Sequence, residues 1–507
     1  MFNSLLTWLI KKRIHQIELF IKYPFEVQID WFKKLITTAK DTEWGKKFGY
    51  KSISSLDEYR ERVPIGDYNS FKPFIDDLRK GKQNLLWPGS IKWFARSSGT
   101  SENKSKYIPV SSEALEECHF NAGRDMLALY FNNHPDSRVF SGKGLVMGGS
   151  RNIAESNGDS YFIGDLSAIL IKNLPFWAQL KSTPSTSIAL MEEWESKIEK
   201  MAQITSSHDV TSITGVPSWM LVLIKKILDN TGKTNMLEIW PNLEVFFHGG
   251  VNFSPYSKQF KLLLPHERMT YMETYNASEG FFGLQDRTDE NDMLLMLDYG
   301  IFYEFIPMNE LENEHPKTIL LDEVKLGENY AMLISTNGGL WRYLIGDTVM
   351  FTTKNPFRIR ITGRTKSFIN AFGEELIIDN AEKALSIASE KCHAIITEYT
   401  AAPVYFDDEF SKAAHEWIIE FEKVPDNLDF FKETLDTALK SLNSDYEAKR
   451  YKNLILAPPI IHVAPSGTFY KWMKKMNKLG GQHKVIRLYN SREYVDEILK
   501  LIQPSGL

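Results

Sequence analysis

Cysteine is scarce in this chain. Cys118 and Cys392 are the two cysteines in 507 residues, far apart and outside any CxxC spacing. That excludes a disulfide framework and a thiolate zinc or redox site, and both thiols are read as small buried hydrophobes. Long apolar runs are missing too. The stretch 219–224 is cut by Lys225 and Lys226, far short of the roughly 18 residues a membrane-crossing helix needs. An excess of one charge is also lacking: Lys+Arg number 60 and Asp+Glu 65, a net −5, so no global field draws the chain to nucleic acid or to an anionic membrane. At the start, Lys11, Lys12 and Arg13 follow the apolar stretch 1–10, whereas a secretory signal carries its positive charge first. The apolar period runs on through Ile14, Ile17, Phe20 and Ile21, the pattern of an amphipathic helix. A cytoplasmic protein is expected, acting as a monomer without nucleic-acid or membrane partners.

What is present is an ordinary globular composition, 43% hydrophobic and 25% charged, which excludes disordered and low-complexity classes. Aromatics at 13% point to large cores or to pockets for flat ligands. The length suggests two or three domains. The chain is mostly helical to about residue 90; short apolar runs then alternate with Gly, Ser and Asn clusters, as in an α/β domain. The pattern predicts strands over 139–147, 243–247, 293–297 and 357–362, and helices over 188–201 and 219–228. In 357–362, Phe357, Ile359 and Ile361 fall on one face and Arg358, Arg360 and Thr362 on the other. Asp379 can cap a helix with Glu382 completing a capping box. A strand over 417–421 and a helix with Leu428, Phe431, Leu435, Leu439 and Leu442 on one stripe follow. The expected division is an N-terminal domain of residues 1–365 and a smaller α+β domain of residues 366–507.

The most informative stretch is Arg96-Ser-Ser-Gly-Thr-Ser-Glu-Asn-Lys-Ser-Lys106. Ser97, Ser98, Thr100 and Ser101 surround the permissive Gly99, with Lys104 and Lys106 close behind. Such a loop can wrap N–H groups, hydroxyls and ammonium groups around a polyphosphate. It is not a Walker A loop, because Lys104 stands where the second glycine is required. A solvated surface turn has the same composition, and the strand-like run 91–95 before it favours the phosphate reading.

Three further clusters follow. His248-Gly-Gly-Val251 ends an apolar strand, and Gly249 and Gly250 would let a flat base approach the backbone; a tight turn would look alike. In Tyr275-Asn-Ala-Ser-Glu-Gly280 a tyrosine ring can stack on adenine and Glu279 can hold a Mg²⁺ that bridges phosphates, although a lone Glu in a loop is usually solvated. In Trp341-Arg-Tyr-Leu-Ile-Gly-Asp347 the acid after glycine can accept both ribose hydroxyls.

The order of these clusters resembles that of the adenylate-forming superfamily. Within it, Arg62-Val-Pro-Ile-Gly-Asp-Tyr68, Leu86-Trp-Pro-Gly89, the run 91–100 and Lys106-Tyr-Ile-Pro-Val110 resemble the Gretchen Hagen (auxin-responsive promoter) family of acyl acid amido synthetases. Tyr275–Glu279 and Tyr343–Asp347 resemble its second and third motifs, and Gly480-Gly-Gln-His-Lys-Val-Ile-Arg487 its C-terminal segment. The resemblance covers almost the whole chain, and the length resembles the bacterial branch. Asn103 stands where the phosphate loop commonly has glycine, Asn276 replaces a small residue, and Ile486 replaces proline.

The resemblance implies an α/β ligase that uses ATP and Mg²⁺ to adenylate a carboxylic acid and then transfers the acyl group to an amine, an amino acid in this family. It implies that Ser97, Ser98, Gly99, Thr100, Ser101 and Lys106 cradle phosphates, that Glu279 holds the metal, and that Tyr275, Gly249 and Gly250 hold adenine. Asp347 would hold the ribose, with Arg364 beside it at a hinge over 364–368. Lys484 would be a catalytic lysine from the C-terminal domain, although the basic stretch 471–484 can equally be a solvated face. The acid pocket is expected near 120–131 and 214–219. Two rivals remain: a thioester-forming acyl-CoA synthetase, and a nucleotide- or RNA-binding module using the segment 471–487.

Overall fold

The computed structural model describes residues 2–97, 106–149, 151–156, 159–250, 253, 256–288, 290–311, 313–365, 368–374, 376–405, 413–451, 455–476 and 485–502. It is a mixed α/β chain of two compact units, the larger holding Met1–Ser97, Lys106–Gly250 and Phe260–Thr365, the smaller built on Lys366–Leu507. Among the described residues no helix is long and apolar enough to cross a membrane.

Two sheets organise the larger unit. In the small one, β1 (Trp93–Ser97) pairs antiparallel with β2 (Lys106–Val110) in the register Trp93↔Val110 to Ser97↔Lys106. On its other side β1 runs parallel to a strand that itself pairs antiparallel with a fourth; these two are β5 (Asp159–Gly164) and β4 (Arg151–Ser156). Residues 98–105 therefore join two strands whose ends face each other at Ser97 and Lys106.

The large sheet has eleven strands. Its parallel part is β3 (Lys143–Val146), β6 (Ser182–Thr183), β7 (Val210–Gly215), β8 (Val245–Gly249) and β9 (Thr270–Ala277). Its antiparallel part is β10 (Gly280–Leu284), β11 (Met293–Leu295), β12 (Ile301–Pro307), β13 (Asn329–Thr336), β14 (Tyr343–Lys354) and β15 (Phe357–Arg364). The spatial order is β12-β13-β14-β15-β11-β10-β9-β8-β7-β3-β6. Helix Pro217–Thr231 is the crossover between β7 and β8; Pro217 opens it and Gly232, at φ 66°, closes it, the usual asymmetry of helix ends. The aromatic abundance is largely spent on the core: Phe20, Phe32, Tyr59, Phe71, Phe94, Phe282, Tyr303, Trp341 and Tyr343 are all buried in one cluster.

Three local expectations need correction. The strand expected over 139–147 is confined to Lys143–Val146, because a turn closed by Ser141 N–H on the Arg138 carbonyl precedes it. The helix expected over 188–201 is two helices, Thr186–Ala189 and Trp194–Thr205; Glu193 caps the second by accepting from the N–H groups of Glu195 and Ser196, which ends the first register. In β15, Ile361 is exposed and Arg358 is buried. Exposure in β15 thus does not follow the alternation; Arg358 is kept inside by Asp286, to which its Nε donates at 3.0 Å.

The smaller unit holds a three-stranded sheet, β18 (Ile395–Val404), β19 (Ala414–Lys423) and β20 (Ile460–Ala464), and a two-stranded hairpin, β16 (Phe368–Ile369) with β17 (Leu376–Ile377). Helix Ile378–Lys391 begins one residue before Asp379, so Asp379 lies in its first turn rather than at the cap. Helix Leu428–Leu442 is capped by Asn427 and buries Phe431, Leu435 and Leu439 of the expected stripe, while Leu428 at its start is exposed.

Candidate active site

The carboxyl end of β8 and the adjoining β9 form the first wall. Gly249 pairs with Thr274, and a Cβ on Gly249 would stand 2.5 Å from the Thr274 carbonyl oxygen. That approach excludes any side chain. Gly250 turns the chain away at φ 81°, where glycine is favoured. Thr274 Oγ1 closes the edge by donating to the His248 carbonyl at 3.1 Å.

Next in β9 is Tyr275, 4% exposed. Its ring tilts against Phe282, centroids 4.9 Å apart. Its hydroxyl donates to Asp347 Oδ2 at 2.8 Å. The ring on which adenine stacking was expected is thus largely enclosed, and its polar end is engaged with the carboxylate assigned to ribose. Asp347 is itself 6% exposed and follows Gly346, whose φ of 96° gives the chain the turn that an L side chain resists.

A second bond runs the opposite way: Tyr343 Oη donates to Glu279 Oε1 at 3.3 Å. Tyr343 is fully buried, and burial, with the nearby Glu279 charge second, pushes its phenol well above the ordinary range. It therefore remains a protonated donor at any working pH.

Sequence reasoning passed over the groups that hold Tyr343. Gly66 N–H donates to the Arg342 carbonyl at 3.1 Å and Leu344 N–H to the Gly66 carbonyl at 2.9 Å, so the run 62–68 lies beside the start of β14. Arg342, at φ 41°, occupies a left-handed conformation uncommon for a side-chain-bearing residue. It is held there by Glu304, to which Nε donates at 3.0 Å, and by the carbonyls of Arg60 and Val63 at 3.0 and 2.8 Å. The signal available for Arg342 was an arginine inside an otherwise apolar run. Tyr68, at the end of 62–68, accepts from Tyr107 N–H at 3.0 Å, which ties β2 and its Lys106 to the same framework. The Lys106 ammonium has no hydrogen-bond or ion-pair partner among the described residues.

Two ionisable groups of these strands are shifted by their enclosure. Glu273 faces His248 across the β8–β9 pair; burial raises the Glu273 carboxyl to about 7 and lowers the His248 imidazole to about 3.

The structure therefore brings Tyr275, Glu279, Asp347, Gly249 and Gly250 into one set. The backbone of Arg364 pairs opposite Asp347. Ser97 and Lys106 stand at the two ends of the phosphate-loop segment. Ser98, Gly99, Thr100, Ser101 and Lys484 lie outside the described residues, as do Lys366 and Ser367 of the expected hinge.

Three family models match along the chain: the GH3 family N-terminal domain over residues 13–269, the central domain over 294–364 and the C-terminal domain over 379–493. The chain belongs to the GH3 family. Among curated GH3 relatives, the indole-3-acetic acid-amido synthetase GH3.3 of Arabidopsis thaliana is 21% identical over 91% of this chain and 89% of its own length. The 4-substituted benzoates-glutamate ligase GH3.12 of the same plant is 23% identical over 92% and 93%. Among solved structures, the AtGH3.15 acyl acid amido synthetase in complex with 2,4-DB aligns with a TM-score of 0.62 at 18% identity, covering 97% of this chain and 96% of that one. A 2-hydroxyisobutyryl-CoA ligase aligns at 0.56 and 11% identity, covering 96% and 93%. These two likenesses concern the fold. They show a mixed α/β architecture shared over nearly the whole chain.

Proposed function

We propose that this GH3-family chain is an ATP-dependent acyl acid amido synthetase-like ligase that adenylates a carboxylic acid and passes the acyl group to an amine, an amino acid in the first instance. The observation that carries the reading is the meeting of the second and third motifs, Tyr275 on Asp347 and Tyr343 on Glu279. The reaction solves a leaving-group problem, since a carboxylate would have to expel oxide. A carboxylate oxygen attacks the α-phosphorus of ATP and pyrophosphate departs, giving an acyl-adenylate. The amine nitrogen then attacks the acyl carbon, the carbon–oxygen bond to AMP breaks, and the amine proton is released.

Roles follow from position. The backbone of Gly249 and Gly250 is assigned to the adenine, with Tyr275 in the same wall. Asp347, aligned by the Tyr275 hydroxyl, accepts from the ribose hydroxyls, and Arg364 stands beside it. Lys106 and the hydroxyls of Ser97, Ser98, Thr100 and Ser101 around Gly99 offset the charge of the phosphates, where an anion must attack a polyanion. Lys484 is kept as the lysine of the C-terminal unit that serves the catalytic step.

Glu279 presents a single carboxylate with one oxygen held by a neutral phenol, and no cluster of three or more His, Cys, Asp or Glu that could hold a metal occurs among the described residues. That donor set suits Mg²⁺, which is commonly bound by one or two carboxylates together with substrate phosphates. When bound, the ion would neutralise phosphate charge. A cytoplasmic monomer of the bacterial branch of the family completes the reading.

The test is exchange of labelled pyrophosphate into ATP across a panel of carboxylic acids, followed by amino acids against coenzyme A as acceptor. Acid-dependent exchange with amide product supports the proposal. Exchange with only thioester product favours the acyl-CoA synthetase alternative that the fold also accommodates, and no exchange with any acid removes adenylation altogether.

A further inference from the structure

The two motifs share one spacing: Tyr275 and Glu279 are separated by three residues, and so are Tyr343 and Asp347. Neither tyrosine bonds the carboxylate of its own motif in these pairs; each reaches the acid of the other. In the sheet, β9 and β14 are separated by β10, β11 and β15. Laid flat, four strand spacings would set them about 19 Å apart, beyond the reach of a tyrosine side chain. The sheet must therefore curl until the ends of β9 and β14 converge, and the crossed bonds lie where they meet.

We propose that Tyr343 and Tyr275 are reciprocal positioning residues: Tyr343 aims Glu279 at the phosphate-bound metal, Tyr275 aims Asp347 at the ribose, and recognition of the two ends of the nucleotide is thereby coupled. The inference rests on the nucleotide reading above. A phenol is suited to the task, because it fixes one oxygen of a carboxylate without adding a countercharge, and the second oxygen remains directed by the first. Both rings are buried, at 4% and 0% exposure, and Tyr343 is anchored further by Phe71, whose ring meets it edge-on at 5.7 Å. Its backbone entry is fixed by the Arg342–Glu304 pair and by Gly66. The hydroxyls therefore start from rigid bodies, which a device for aiming carboxylates requires. If the crossed bonds couple the two sites, filling one lowers the cost of ordering the other, and the effect is reciprocal.

Calorimetric binding of adenosine 5′-(α,β-methylene)triphosphate, with and without Mg²⁺, tests this in the full chain without requiring turnover. For Tyr343→Phe the affinity in Mg²⁺ is expected to fall about tenfold or more, the usual scale for loss of a group that orients a metal ligand, with metal-free affinity within about twofold of the parent. For Tyr275→Phe the loss should appear with and without Mg²⁺, larger with it, and should extend to AMP. The double variant should lose less than the product of the single losses, because each bond supports the other. Equal loss in both conditions for Tyr343→Phe, or no loss, would overturn the proposal. If Tyr343→Phe does not fold, 3,5-difluorotyrosine at position 343 keeps the ring and changes the donor; a Mg²⁺-specific shift supports the proposal and an unchanged Mg²⁺ dependence contradicts it. A parent protein that binds no analogue overturns the nucleotide reading as well, whereas a parent that binds with Mg²⁺ dependence, joined to unaffected variants, overturns this inference alone.

Discussion

Among the described residues, tyrosines donate to carboxylates in contrasting settings. In one, an arginine grips the same acid: Tyr299 and Arg13 both bond Asp125, and Tyr446 and Arg450 both bond Asp436. In another, at the candidate active site, Tyr275 holds Asp347 and Tyr343 holds Glu279. The first arrangement cancels charge and fastens helices: Arg13 belongs to helix Phe2–Lys22 and Asp125 to Asn121–Asn133, while Asp436 and Arg450 belong to Leu428–Leu442 and Ser444–Arg450. The phenol of the second aligns an acid without adding a countercharge of its own. The difference teaches that a buried carboxylate has to be read through the charge of the groups that hold it, because burial alone does not separate scaffold from site.

The comparison breaks most visibly on the scaffold side. Asp436→Ala leaves Arg450, 5% exposed, buried without its acid, and is expected to cost roughly 3–5 kcal/mol in denaturant unfolding. A loss near zero would mean that the arginine-gripped acids are not structural. The next effect is a pH dependence. The Glu273 carboxyl, raised by burial from 4.5 to about 7, binds more protons folded than unfolded between those values. Its stabilising contribution is therefore full below about pH 4.5 and lost as pH rises through 7. Glu273→Gln should flatten this part of the stability profile and make the variant the more stable protein at pH 8, by roughly 1–3 kcal/mol; urea midpoints at pH 5 and 8 measure it, and an unchanged slope counts against the assignment. On the site side, Asp347→Ala should weaken ATP binding about tenfold or more, close to 1.4 kcal/mol, in a titration under conditions where the fold persists. Smallest of all, Asp77→Asn removes the exposed partner of Lys80 and Lys82 and should leave the melting temperature unchanged, as exposed ion pairs contribute little.

Much of the site was legible because its chemistry is local. The paired glycines 249–250 and the acids Glu279 and Asp347 each sit in a short run whose composition is informative by itself, whereas the hydroxyl-rich residues 98–101 lie outside the described residues. Helix Leu428–Leu442 was legible for the same reason, since its stripe is local. The failures came where side-chain partners and caps decide. Ile361 is exposed and Arg358 buried, the latter because Asp286 beyond the end of another strand receives its guanidinium, which no alternation within β15 reveals. The break between Thr186–Ala189 and Trp194–Thr205 depends on Glu193 turning its side chain back on its own helix. The crossed tyrosines were invisible for a geometric reason: the repeated spacing is in the sequence, but only the curl of a sheet with three intervening strands brings each phenol to the other motif's acid.

The central claim is that the acid is activated on AMP before an amine takes it. A carboxylic acid labelled with ¹⁸O at both oxygens, supplied with ATP and the accepting amino acid, tests this directly by mass spectrometry of the nucleotide product. The account predicts one ¹⁸O in AMP, carried by the oxygen that bridged acyl carbon and phosphorus, and one retained in the amide. Label in inorganic phosphate accompanied by ADP, or unlabelled AMP beside a labelled amide, would contradict it.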